Sequence, residues 1–222
     1  MHELRQAPFE CERHILKRKT QRKVMKIVID GLIGAGKSTQ VDILSKTLGI
    51  STVREPIDEW PLDLFYSNPD RWGFLMQVAV LNSFVKLRNT DGIFERSPES
   101  TRRVFWQNLV DSGAVNDTED GVFQSLFRNV SWSPDITILI DKSPELCFEH
   151  IHKRTQDGDS KITLEYLKKL HSYYENFKKM PGVITIDGNR SISEISEDII
   201  KTVRLLQDER AVQVHKSERP TM

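Results

Sequence analysis

Gly31-Leu32-Ile33-Gly34-Ala35-Gly36-Lys37-Ser38 leaves the apolar run Val24 to Asp30 (VMKIVID) and enters STQVDILSKTLG, Ser38 to Gly49, where Val41, Leu44 and Leu48 recur at helical spacing. An apolar run, a glycine turn and an amphipathic helix form the context that G-x-x-x-x-G-K-[ST] requires. Glycines let successive backbone N–H groups turn inward at a helix N-terminus, which already favours negative charge. A lysine in such a turn reaches the β and γ phosphates, and the following hydroxyl ligates the Mg²⁺ that bridges them. Gly31, Leu32, Ile33, Gly34, Ala35, Gly36, Lys37, Ser38 and Thr39 are therefore read as a nucleoside triphosphate site with Mg²⁺.

Outward from this turn, short β-branched runs alternate with longer segments of helical period, the pattern of an α/β parallel sheet flanked by helices. Five strands are expected: Val24 to Asp30, Ile50 to Arg54, Ile93 to Glu95, Asp135 to Ile140 and Val183 to Ile186. Ser97-Pro98 and Ser143-Pro144 each place a hydroxyl cap before a proline at the first helical position, with Glu99 and Glu145 suiting the helix dipole. Helices are also expected over Trp72 to Arg88, Ile162 to Lys178 and Ile192 to Leu206.

The 222 residues and 25.7 kDa fit one domain, placed at 24–207, with a basic arm over 1–23 and a polar tail over 208–222. With 32 Lys+Arg against 32 Asp+Glu, no global field argues for nucleic acid or an anionic membrane as partner. No stretch approaches the roughly 18 to 20 apolar residues of a membrane span. Cys11 and Cys147 stand far apart in no metal-ligand spacing, which fits a reducing compartment, and a cytoplasmic protein is expected.

Fold alone does not choose among the users of such a turn. A GTPase would carry N-K-x-D, and no Asn here precedes Lys. The ordered motifs REPIDEW (54–60), LFYSNPDRW (64–72), FLMQVAVL (74–81), FERSPESTRRVF (94–105), HIHKRTQDGDS (150–160) and LEYLKKLH (164–171) decide further. Together with IDGLIGAGKST they resemble the deoxyribonucleoside kinases, across about residues 24 to 190. The resemblance implies a P-loop kinase fold with a five-stranded parallel sheet and a lid segment. It implies transfer of the γ-phosphate of ATP to the 5′-hydroxyl of a deoxynucleoside, by a homodimer.

Carried over residue by residue, the resemblance makes Glu55, just past the second strand, the base that takes the hydroxyl proton. Glu95 joins Ser38 in the metal shell, and Arg96 serves the 5′ end. A structural Arg96–Glu55 ion pair fits the same placement and does not exclude catalysis. Gln77, Val80 and Phe84 share one helical face, and the resemblance gives Gln77 the Watson–Crick edge of the base. Trp60 becomes a pocket wall, Phe105 a ring stacked on the base, Tyr66 and Asp159 partners of the sugar 3′-OH, and Arg154 a lid cation. The lid departs from the family, with His150, His152 and Gln156 where arginine is common. A histidine is charged only below about pH 6.5, so a grip on phosphate that tightens as pH falls is expected.

Base choice is read from Gln77, Phe84 and Thr101. Relatives that accept deoxycytidine and purines carry an Asp at the Thr101 position and an Arg at the Phe84 position, and neither stands here. Thymidine is expected first, deoxycytidine second and purines last. Two other readings fit the glycine turn: a thymidylate or other nucleoside monophosphate kinase, and a P-loop regulator that binds nucleotide without transfer. Against the first stands FERSPESTRRVF where an Asp-Arg-Tyr or Asp-Arg-His signature belongs; against the second, Glu55, Glu95 and Arg96 would have no task.

Overall fold

A computed structural model describes residues 26–154 and 159–217 of the chain. The expected arm over 1–23, Cys11 and Gln156 lie outside the described residues. Five parallel strands, β1 (Lys26–Gly31), β2 (Thr52–Val53), β3 (Gly92–Glu95), β4 (Ile136–Asp141) and β5 (Val183–Asp187), form one sheet in the order β2-β3-β1-β4-β5. Every residue of β1 is buried, as a strand covered on both faces must be. The pleat sends Ile27 and Ile29 to one core and Val28 to the other.

The first core lies under α1 (Lys37–Leu48), α7 (Pro144–Arg154), α8 (Leu164–Phe177) and α9 (Ile192–Ser217). Val41, Leu44, Leu170, Ile199 and Val203 supply it. The second core packs α3 (Pro69–Val85) and α6 (Asp117–Val130) on the opposite face, where Trp106 stacks on Phe123 at 3.8 Å. Two short helices, α2 (Leu62–Ser67) and α4 (Pro98–Ser100), stand at the rim, and a π-helical stretch, Thr101–Trp106, joins α4 to α5 (Gln107–Asp111).

All five expected strands occur, though the second is only two residues long. The Ser97 cap is present: its hydroxyl accepts the Ser100 N–H at 3.2 Å. Helix α6 was not foreseen, although Asn116-Asp117-Thr118-Glu119 spells a capping box. Asn116 Oδ1 accepts the Glu119 N–H at 3.0 Å and Glu119 Oε2 accepts the Asn116 N–H at 2.9 Å. Helix α9 continues past Leu206 to Ser217, beyond the expected end of the domain at residue 207.

Cys147 on α7 is fully buried, and burial pushes its thiol up to about 11. At pH 8 about one thiol in a thousand would then be ionised. Iodoacetamide is expected to leave the Cys147 peptide unmodified in the native protein and to label it fully in urea, as read by mass. Rapid labelling of the native protein would contradict this packing. Among the described residues no helix is long and apolar enough to cross a membrane.

Candidate active site

The strand order brings the carboxyl ends of β1, β3 and β2 side by side, and ligands of open α/β sheets sit in such a crevice. Gly31 closes β1 with φ 147° and Gly34 follows at φ 82°. A Cβ on Gly31 would lie 2.7 Å from the Ile140 carbonyl oxygen, and one on Gly34 would lie 2.5 Å from that of Cys147. Only glycine lets the turn nest this closely on β4 and α7. Leu32 and Ala35 are buried in the first core and, like Gly31, are not among the residues that line the crevice.

Lys37 opens α1, is 6% exposed, and donates to the Leu32 carbonyl at 3.0 Å. Burial lowers its pKa, and Arg96 lowers it further against the pull of Glu55, Glu95 and Asp30. Two buried cations held in one crevice repel each other, and a polyphosphate chain relieves that repulsion. Ser38 Oγ donates to Glu95 Oε1 at 2.8 Å. A hydroxyl and a carboxylate beside a phosphate nest are the hard oxygen donors that suit Mg²⁺, so these residues fit the ion.

Arg96 follows β3 at φ 65°, the one non-glycine with positive φ among the described residues. Such a conformation costs about 1–3 kcal/mol and persists only where surroundings enforce it. Here the Arg96 N–H donates to Ile29 O at 3.0 Å, and Nε donates to Glu55 at 2.6 Å. The guanidinium carbon lies 4.4 Å from the centre of the Phe105 ring. The expected Arg96–Glu55 ion pair is thus present in the wall of the crevice. Burial alone would lower the Arg96 pKa, but Glu55, Tyr174 and Asp30 outweigh it and raise it.

The crevice encloses about 760 Å³, and its walls include Ile33, Gly34, Gly36, Lys37, Ser38 and Thr39 at one end. Trp60, Tyr66, Gln77, Val80, Thr101 and Phe105 line the other. Glu55, Glu95 and Arg96 stand between, with Arg154 and Asp159 at the lid. Arg154 grips Asp159 through two bonds, 2.7 and 2.8 Å. Burial, then the Asp159 charge, pushes the Tyr66 phenol up to about 12, so it remains a hydroxyl donor.

Phe84 departs from this set. Although it shares a helical face with Gln77 and Val80, it lies nearer the end of α3, buried edge-on against Trp132 at 5.9 Å, and does not line the crevice. Val80 belongs to the same second core and still reaches the crevice, whereas Phe84, a turn further along α3, lies beyond it. Of the two lid histidines, His150 lines the crevice with Nδ1 3.2 Å from Gly34 O. His152 instead turns to its own helix, with Nδ1 2.9 Å from Phe148 O. Tyr166 and Met76 also line the crevice and were not foreseen. Thr163 caps α8 and places Tyr166, Leu167, Leu170 and Tyr174 along its inner side, a helical spacing legible in LEYLKKLHSYY.

A glycine turn that cradles phosphate, carboxylates at two strand ends and a half-polar pocket beyond them define a P-loop kinase that acts on a nucleoside. Residues 27–207 match the family described as deoxynucleoside kinase, and the chain belongs to that family. It is similar to the putative kinase protein 029R of Invertebrate iridescent virus 3, at 28% identity over 81% of this chain and 96% of the relative. It is also similar to the deoxyadenosine kinase of Dictyostelium discoideum, at 35% identity over 68% of this chain and 65% of that one. Human mitochondrial thymidine kinase 2 is 28% identical over 72% of this chain and 67% of its own length. Among solved structures, deoxyadenosine kinase from M. mycoides with bound dCTP superposes at TM-score 0.72 with 28% identity, covering 81% of this chain and 99% of that one. The fold and activity are therefore those of a nucleoside kinase that transfers phosphate from a nucleoside triphosphate to a deoxynucleoside.

Proposed function

We propose that this kinase takes thymidine as its preferred acceptor, deoxycytidine second and purine deoxynucleosides poorly, with ATP as donor. The observation that carries the reading is Gln77, 4% exposed, whose Oε1 has no hydrogen-bond partner among the described residues and belongs to a residue lining the crevice. An unpaired buried acceptor costs about 1–3 kcal/mol. The N3–H of thymine relieves that penalty, while O4 of the same base accepts from the amide nitrogen. Cytosine presents an acceptor at N3, so the amide must turn over to read it. Guanine adds an amino group for which the apolar wall of Met76, Val80 and Phe105 offers no acceptor.

Glu55 takes the proton of the 5′-hydroxyl as its oxygen bonds to the γ-phosphorus and the bond to the β–γ bridging oxygen breaks. Lys37 and Arg96 hold the charge that shifts onto the phosphate oxygens. Ser38 and Glu95 would hold Mg²⁺, which would supply charge neutralisation on the phosphates. Tyr66 and Asp159 orient the sugar 3′-OH, Arg154 closes over the phosphates, and Phe105, Trp60, Val80 and Thr101 shape the base pocket. The Dictyostelium relative and the M. mycoides neighbour are named for deoxyadenosine, which favours deoxyadenosine as the second reading.

The test is kcat/KM for the four natural deoxynucleosides with ATP. Thymidine is expected to lead the purines by about tenfold to a hundredfold, the range set by one unpaired polar group. In a Gln77→Leu variant that lead should collapse. A parent enzyme that favours deoxyadenosine or deoxyguanosine would overturn this reading of the pocket.

A further inference from the structure

Four side chains from distant parts of the chain meet at the crevice, Glu55 and Arg96 in its wall and Asp30 and Tyr174 behind it. Asp30 sits within β1 next to the first turn glycine, Glu55 follows β2, Arg96 follows β3, and Tyr174 projects from α8. Tyr174 is 3% exposed and Asp30 fully buried. Arg96 Nη1 donates to the Tyr174 hydroxyl at 2.7 Å. That hydroxyl donates to Asp30 Oδ1 at 2.8 Å, with the Gly31 carbonyl 3.0 Å away. Asp30 Oδ1 also accepts the Gly31 N–H at 2.8 Å.

The phenol is needed for this connection. Arg96 Nη1 stands 3.6 Å from Asp30 Oδ1, too far for a direct hydrogen bond, and the Tyr174 oxygen closes the gap. Burial keeps the phenol protonated against the pull of Arg96, with Asp30 and Glu55 adding to the effect, so it can accept from the cation and donate to the carboxylate at once. The other edge of the same guanidinium holds Glu55. A continuous chain of charge-assisted bonds therefore runs from the phosphate-binding turn through Asp30, Tyr174 and Arg96 to Glu55.

We propose that Tyr174 and Asp30 are positioning residues for phosphoryl transfer, fixing the Arg96 guanidinium and through it the Glu55 carboxylate in register with the phosphate-binding turn. The proposal rests on the reading of Glu55 as the base. A guanidinium anchored at one edge alone can swing about the Glu55 bond and carry the carboxylate off line, and displacements of about 1 Å in such assemblies can lower rates a hundredfold.

A double-mutant cycle between Tyr174→Phe and Glu55→Gln tests it. Phenylalanine keeps the ring and its edge contact with Phe177 at 5.9 Å while removing only the hydroxyl. Tyr174→Phe is expected to lower kcat by about tenfold and to leave KM for ATP within about twofold, since Lys37 and the glycine turn are intact. In the Glu55→Gln background the same change should lower kcat by less than about twofold, because the carboxylate it positions no longer accepts a proton. Equal losses in both backgrounds, or an unchanged kcat in Tyr174→Phe alone, overturn the proposal. Loss of turnover in Glu55→Gln with none in Tyr174→Phe sinks the positioning role alone, whereas full turnover in Glu55→Gln sinks the base assignment and the positioning role with it. Should Tyr174→Phe fail to fold, Asp30→Asn carries the same cycle, with the same non-additivity expected and additivity overturning it.

Discussion

Lys37→Ala is expected to lower kcat by about 10³ while the protein remains folded. Removing one preorganised donor from a site where charge develops typically costs 10²–10³ in rate, and Lys37 carries a full charge. Among the described residues its ammonium makes one hydrogen bond, to the carbonyl of Leu32, so truncation there leaves one carbonyl to find another donor. Burial and Arg96 both disfavour its charge, and removing it relieves that repulsion. The melting temperature should therefore change by only a few degrees, or rise. The two measurements together decide the matter. A collapsed melting curve would make Lys37 a structural residue, and near-normal turnover in a folded variant would take the glycine turn out of the chemistry.

The parts of this site that are local in sequence are the parts a reader of the sequence recovers. The glycine turn is legible because backbone conformation demands glycine at Gly31 and Gly34, and because strand and helix flank it within a few residues. Glu55, Glu95 and Arg96 are legible for a related reason. Parallel strands deliver their last residues to one edge, so a carboxylate after an apolar run is already placed.

What was not legible depends on contacts across the chain or on a single helical turn. Phe84 shares the face of Gln77, yet Trp132, 48 residues further on, makes that end of α3 part of the core. The Tyr174–Asp30 bond spans 144 residues, and no local pattern in α8 marks which inward residue meets the sheet edge. Helix α6 is a different case, since both its Asn116–Glu119 capping box and the helical spacing of Phe123, Leu126, Phe127 and Val130 stood in the sequence and were legible locally.

Glu55→Gln is the second large effect expected, a fall in kcat of about 10² or more with KM for the deoxynucleoside changed by less than about threefold. General-base assistance contributes 10²–10⁴ in rate, and the amide retains the size of the carboxylate while losing its ability to take a proton. Glu55 is only 11% exposed and its Oε1 lies 2.6 Å from Arg96 Nε, so an alternative exists in which it merely pairs with Arg96. The two roles make different marks. Breaking a buried pair by losing one charge destabilises by about 3–5 kcal/mol, which shows in the melting curve, but it need not alter turnover in the protein that remains folded. Arg96 also retains Tyr174 as an acceptor and Asp30 as a nearby counter-charge, which limits even that loss. Turnover measured well below the melting transition isolates the chemical role. A folded Glu55→Gln enzyme with undiminished kcat would leave the ion pair as the whole purpose of Glu55 and move the proton transfer to another carboxylate of the crevice wall, such as Glu95.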